Sequence, residues 1–190
     1  MSYLTEVEIS KMGFKKVGQN VKISSKASIY NCELIEIGDN SRIDDFCVVS
    51  GKIKIGKYVH ITPFCLLAGG KLGVIIDNFS TLAYGAYVFT KSDDYLGEYM
   101  TNSLIPDRYK GVTEQRVHIK EHVIIGARSL VLPGVVLEQG VSLGANTLVL
   151  KQTEPWSVYI GSPAKKLKKR SRALLKHEEL FLKEIEEKQI

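Results

Sequence analysis

The chain has 190 residues, 44% apolar and 25% charged, with a net charge of +5, a length that suits one domain and a composition that suits a folded soluble one. No apolar run approaches the ~18 residues of a membrane span, and Met1 to Lys16 is too polar for a secretory leader, so the cytoplasm is the expected compartment. The positive charge crowds into Lys165, Lys166, Lys168, Lys169, Arg170 and Arg172, which makes it a property of the tail.

In chain order, the first predicted element lies within residues 1–16. Thr5-Glu6-Val7-Glu8 has the form of a helix capping box, and Gly13 is a natural stop. A short helix there would cover the open lower edge of the structure that follows, whose unpaired strand would otherwise invite aggregation.

From Val17 an aliphatic residue returns at every sixth position: Val17, Ile23, Ile29, then Ile37, Ile43, Val49, Ile55, Ile61, Leu67, then Ile76, Leu82, Val88, and finally Ile119, Ile125, Val131, Leu137, Leu143, Val149. A smaller residue often follows four places later, as in Ala27, Ser41, Cys47, Cys65, Ser80, Ala86, Ser129 and Thr147. A helix returns side chains to one face after three or four residues and a strand after two, so a strict six is a short strand plus a turn, repeated. Repetition at a fixed short period builds a solenoid, here a parallel β-helix over residues 17–163. Three strands close a triangular coil of eighteen residues, giving six coils that start at Val17, Ile37, Ile55, Ile76, Ile119 and Leu137. With about 4.8 Å between paired strands the stack is roughly 29 Å tall. The register breaks only after Ile29, Leu67 and Val88, always behind the third strand of a coil, so every insertion leaves by the same corner. The Gly, Asn and Asp of I-G-D-N and L-G-A-N supply the left-handed backbone that corners need.

Cys47 and Cys65 occupy equivalent inward positions one coil apart and read as stacked core thiols; Cys32 lies in the first insertion, and no metal spacing occurs. The largest insertion, residues 90–116, has no obvious structure of its own, and a loop that long in a compact fold is usually functional. It opens on Ser92-Asp93-Asp94-Tyr95, whose aspartates either serve the site or simply make a turn. In the tail, residues 164–190, the apolar residues Leu167, Leu174, Leu175, Phe181, Leu182 and Ile185 predict a helix from about Lys165 to Lys188. Its charged face is either a solvated surface or a phosphate-binding one.

The ladder, the long loop after the fourth coil, and the closing stretches I-I-G-A-R-S-L-V-L-P-G-V, L-G-A-N-T-L-V-L-K and I-G-S-P-A-K together resemble the hexapeptide-repeat acyltransferases, sugar acetyltransferases above all. The segment H-I-T-P-F-C, followed later by S-D-D-Y-L-G-E-Y, is similar to a subgroup among O-antigen and nucleotide-sugar acyltransferases; the resemblance spans Val17 to about Arg170. It implies a left-handed prism, against the usual right-handed rule for parallel crossovers. It also implies a homotrimer with active sites between neighbours, acetyl-CoA as donor, no metal, and an amino or hydroxyl group of a nucleotide-linked sugar or surface-polysaccharide precursor as acceptor. Matched to the family, Gly144 and Ala145 offer backbone to the pantetheine arm and Lys151 lies beside it, while Pro163, Lys165 and Lys166 begin the basic run that meets the phosphates. Nucleic acid is a poorer partner for that charge, because Phe181 is the only aromatic residue of the tail and makes no stacking platform.

Acyl transfer from a thioester needs a nucleophile held against the carbonyl and a base of near-neutral pKa to take its proton. Histidine is the natural base, and the chain has four. His177 falls in the tail; His118 and His122 flank Ile119 and either line the cleft or are polar surface. In the galactoside-type enzymes the resemblance places the catalytic histidine where Ile125-Gly126-Ala127 is followed here by Arg128, a guanidinium that stays protonated. The candidate base is therefore His60, outward because Ile61 points inward, with a carboxylate of Asp94 or Asp93 from the neighbouring subunit's loop to orient it. Two other readings compete. Arg128 in the usual base slot favours a non-enzymatic β-helix scaffold. A γ-type carbonic anhydrase is disfavoured because His118 and His122 are four apart, whereas that family takes a five-residue step.

Overall fold

A computed structural model describes residues 2–188. The first helix, α1, runs Glu6–Lys11 and starts on the expected box: the Thr5 hydroxyl accepts the Glu8 N–H, and the Glu8 carboxylate accepts the Thr5 N–H at 2.7 Å. It ends two residues before Gly13, which turns the chain at φ +72°. Ile9 drops from it into the core, and Tyr3 and Leu4 hydrogen-bond along the lowest second-face strand, so the bottom edge is covered.

Above this the chain winds as a left-handed parallel β-helix. Its first face stacks Lys16–Val17, Ile35–Ile37, Ile53–Ile55, Val74–Ile76, Val117–Ile119 and Val136–Leu137. The second face stacks Lys22–Ile23, Arg42–Ile43, His60–Ile61, Thr81–Leu82, Ile124–Ile125 and Ser142–Leu143; the third stacks Ser28–Ile29, Val48–Ser50, Leu66–Ala68, Tyr87–Phe89, Leu130–Val131 and Leu148–Val149. Those are the six expected coils, in the expected register. A further strand, Ser157–Ile160, begins a seventh turn on the second face by pairing Leu143 with Tyr159. The six-residue period does not reach it, because Pro155 stands where the next aliphatic would fall.

Every aliphatic residue of the ladder from Ile37 to Val149 is buried, and a fully buried residue of this kind contributes about 1.5–3 kcal/mol. The smaller companions have a second task. The hydroxyls of Ser41, Ser80 and Ser129 donate to the carbonyls of Gly56, Lys120 and Gly144 and accept the N–H groups of Val59, Val123 and Thr147. They satisfy buried backbone groups at the turn and stitch one coil to the next. Cys47 and Cys65 are buried and stacked as expected, and their mutual hydrogen bond and burial push the Cys47 thiol up. Held protonated in this way, the Cys47 thiol is inert.

The corner between the first and second faces departs from the expected Gly and Asn. Asn20 and Asn40 hold its lower rungs and Gly140 one upper rung, but Tyr58, Phe79, His122 and Trp156 take the same positive φ at the others. Their rings stack in file, Tyr58 on Phe79 at 5.1 Å, Phe79 on His122 at 5.5 Å and His122 near Trp156 at 6.1 Å. Ring stacking offsets a backbone that costs an ordinary residue roughly 1–2 kcal/mol.

The tail splits in two, which corrects the single helix expected from Lys165. Lys165–Lys169 is a strand, antiparallel to Ser157–Ile160, and only Leu174–Lys188 is helical (α2). The reason is tertiary: Ser157–Ile160 has an open upper edge, and the lysine-rich strand pairs with it and presents charge outward. Arg170 then turns inward, its Nη1 donating to the carbonyls of His122, Gly140 and Val141. Helix α2 lies along the aromatic corner, with Phe181 edge-on to Tyr58 at 5.3 Å and Glu178 3.1 Å from His122 Nε2.

The 90–116 insertion leaves between the third and first faces and is not structureless. Lys91–Ser92 pairs antiparallel with Thr113–Glu114 at its neck, and Asp107–Tyr109 forms one 3-10 turn. Glu114 fixes the neck by accepting the N–H groups of Lys71 and Leu72. Among the described residues no helix is long and apolar enough to cross a membrane.

Candidate active site

His60 stands outward on the second face, in register above Arg42 and below Thr81, with 39% of its side chain exposed. Its Nε2 lies 2.9 Å from Oδ2 of Asp44, a carboxylate only 2% exposed. Arg42 grips both oxygens of Asp44, Nε on Oδ1 at 2.5 Å and Nη2 on Oδ2 at 3.1 Å, and the Tyr3 hydroxyl approaches Oδ1 at 3.4 Å. Burial works to raise the pKa of Asp44, but the hydrogen bonds from Arg42 and His60 outweigh it and hold the carboxyl below its ordinary value.

The loop aspartates lie elsewhere in the protomer. Asp94 accepts the Leu96 N–H at 2.8 Å and the Tyr99 N–H at 2.7 Å, bonds that keep its carboxyl below the usual range. Asp93 accepts the Asn102 N–H at 3.2 Å. Both shape the start of the loop, and within one protomer neither is hydrogen-bonded to His60.

The remaining histidines separate by face. His118 is on the first face, where its Nε2 pairs with Asp77 at 2.7 Å. His122 is buried in the aromatic corner under α2, neither cleft nor open surface, because stacking and Glu178 cover it. His177 is exposed on α2. Arg128 occupies the corner between the second and third faces at φ +57°, its side chain packed beside Gly85.

At the upper end a cavity of about 360 Å³ is lined by Leu150, Lys151, Thr153, Tyr159, Pro163 and Lys165, among others. It brings together three of the expected cofactor residues, Lys151, Pro163 and Lys165. Lys166 points the other way along the closing strand and pairs with Glu154 at 2.5 Å. Gly144 sits just below the seventh turn, where an added Cβ would come within 2.8 Å of Ile160, and Ala145 is exposed at the next corner. Asp44, Thr153 and Tyr159 were not found from sequence. Asp44 carried a usable signal, since Arg42 is eighteen residues before His60 and therefore directly beneath it, with an acidic pair at the adjoining corner.

Residues 35–69 match the family described as bacterial transferase hexapeptide (six repeats). The chain is 42% identical over 184 residues to dTDP-4-amino-4,6-dideoxy-D-glucose acyltransferase of Escherichia coli, covering 95% of each protein. The chain belongs to the hexapeptide-repeat acyltransferases. This acyltransferase also superposes with a TM-score of 0.96 on AntD, an N-acyltransferase from Bacillus cereus solved with dTDP and 3-hydroxybutyryl-CoA, at 42% identity over 97% of this chain and 98% of that one. AntD has also been solved with an aspartate replaced by alanine or by asparagine, each with dTDP and coenzyme A bound. A more distant relative is the putative lipopolysaccharide biosynthesis O-acetyl transferase WbbJ of Escherichia coli K12, 28% identical over 151 residues, 77% of this chain and 74% of that protein. Family membership sets aside the scaffold reading that Arg128 had favoured, and the carbonic anhydrase reading with it. Among the described residues no group of three or more His, Cys, Asp or Glu could hold a metal ion.

Proposed function

We propose that this acyltransferase moves an acyl group, acetyl being the expected one, from acyl-CoA to the amino group of a dTDP-linked 4-amino sugar. The observation that carries the proposal is likeness over nearly the full chain, at 42% identity, to two acyltransferases named or solved with such ligands. WbbJ supports hydroxyl acylation as a second reading, at the lower identity of 28%.

In the proposed mechanism His60 is the general base. The sugar amine attacks the thioester carbonyl, a C–N bond forms and His60 takes the ammonium proton; the C–S bond then breaks, and the imidazolium returns that proton to the departing thiolate, which leaves as coenzyme A. The pantetheine arm runs past Gly144 and Ala145 toward the upper cavity with Lys151 and Pro163, and Lys165 and Lys166 meet the phosphates. Lys166 must first leave Glu154, so Lys165 carries more of that charge. The site is completed in a homotrimer, for which the exposed Phe46, Phe64 and Ile124 supply apolar contact, and Asp93 and Asp94 approach from the neighbour's loop. Both substrates are water-soluble metabolites, which supports a cytoplasmic location.

Thiol release from acetyl-CoA, compared between dTDP-4-amino-4,6-dideoxyglucose (the ligand of two AntD complexes), its 4-hydroxy counterpart and the free amino sugar, tests the proposal. The amine nucleotide should be strongly preferred. Equal rates with the hydroxyl counterpart would move the reaction to oxygen.

A further inference from the structure

We propose that Asp44 is the positioning carboxylate of the catalytic pair, supplied to His60 by the same chain from the coil below rather than by a loop aspartate of a neighbour. The inference rests on the reading of His60 as general base.

Asp44 and His122 are the only ionisable Asp, Glu, His, Lys or Arg side chains among the described buried residues. Burying a carboxylate costs several kcal/mol unless donors meet it on every side. Asp44 meets that condition with Arg42 bidentate, Tyr3 on Oδ1 and His60 on Oδ2. Arg42 alone would already neutralise it, so neutralisation does not require the bond to His60. That bond instead fixes the ring. An ionised carboxylate only accepts, so Nε2 carries the hydrogen and Nδ1 keeps the lone pair able to take a proton from the substrate. As the imidazole becomes imidazolium, a fixed anion 2.9 Å away stabilises the new charge without rearrangement.

The other histidine–carboxylate pairs lack this geometry. Asp77, beside His118, is 36% exposed, so water screens it. His122 and Glu178 sit within the packing of α2 on the aromatic corner. The loop aspartates spend carboxylate oxygens on the N–H groups of Leu96, Tyr99 and Asn102. Of the four histidines, His60 alone is paired with a buried carboxylate and still open to solvent.

A double-mutant cycle on the full-length enzyme tests this, with acyl-CoA and the amine acceptor as substrates. His60→Ala should lose on the order of 10²–10⁴-fold in kcat. Asp44→Asn should lose at least about tenfold in kcat with KM for acyl-CoA unchanged. The double variant should be no slower than His60→Ala, because Asp44 acts through the ring. A parental kcat for Asp44→Asn, or a further loss in the double variant, overturns the proposal while leaving His60 as base. A parental kcat for His60→Ala instead overturns the base reading, and the role of Asp44 falls with it. Should Asp44→Asn fail to fold, ¹⁵N NMR of wild-type His60 decides: the Nε2–H tautomer supports the assignment and the Nδ1–H tautomer overturns it.

Discussion

Gly140 shows how tightly single residues are specified at the aromatic corner. Its φ is +69°, and an added Cβ would lie 2.4 Å from the ring of Trp156, the chain's only tryptophan. Gly140→Ala should therefore destabilise the fold by at least about 1–2 kcal/mol from the backbone alone, with more from displacing the ring. Denaturation followed by the emission of Trp156 reads both effects, and a parental midpoint would contradict the packing described. Asp44 gives a pH signature. Its folded-state pKa is lowered, so its stabilisation is present above the unfolded value of about 3.9 and is lost as pH falls through the folded one. The stability gap between wild type and Asp44→Asn should be flat near neutrality and close below about pH 4; a gap that widens on acidification would contradict the assignment. At this scale the sequence was legible where strand alternation decides direction, as for His60 beside Ile61. It was opaque at corners, where Asp44 and His122 turn according to neighbours one coil away.

Among the elements, the closing strand and α2 were only half visible. Leu174, Leu175, Phe181, Leu182 and Ile185 carry a helical stripe, and α2 follows it. Lys165–Lys169 has the single apolar Leu167 and no stripe of its own, and its strand state comes from the open edge it covers. Alternation along that strand separates two adjacent lysines. Lys165→Ala should raise the apparent acyl-CoA constant about two- to fivefold at low salt, the scale of an exposed ion pair, and the effect should fade as salt is added. Lys166→Ala should do less, because Glu154 already holds that charge. Equal effects from the two, by titration of coenzyme A binding, would show that the strand's facing does not decide the contact.

For the whole molecule, the six-residue period gave away the prism, its register and the corner from which every insertion leaves, because the same steric requirement repeats in each coil. The seventh turn escaped because Pro155 and Tyr159 stand off the period. Handedness came only by resemblance, since spacing is blind to it. The exposed Phe46 and Phe64, stacked at 5.2 Å on the corner opposite the one α2 covers, fit a trimer contact, and sedimentation equilibrium at micromolar concentration should return three chains. A monomer would contradict the shared site. The most direct test is the identity of the product. Purified enzyme incubated with acetyl-CoA and dTDP-4-amino-4,6-dideoxyglucose should yield a dTDP-sugar whose NMR spectrum shows an acetamide at the amine-bearing carbon, with one coenzyme A released per amide formed. Coenzyme A released without that amide, or an ester on a sugar hydroxyl, would contradict N-acyl transfer to a nucleotide amino sugar.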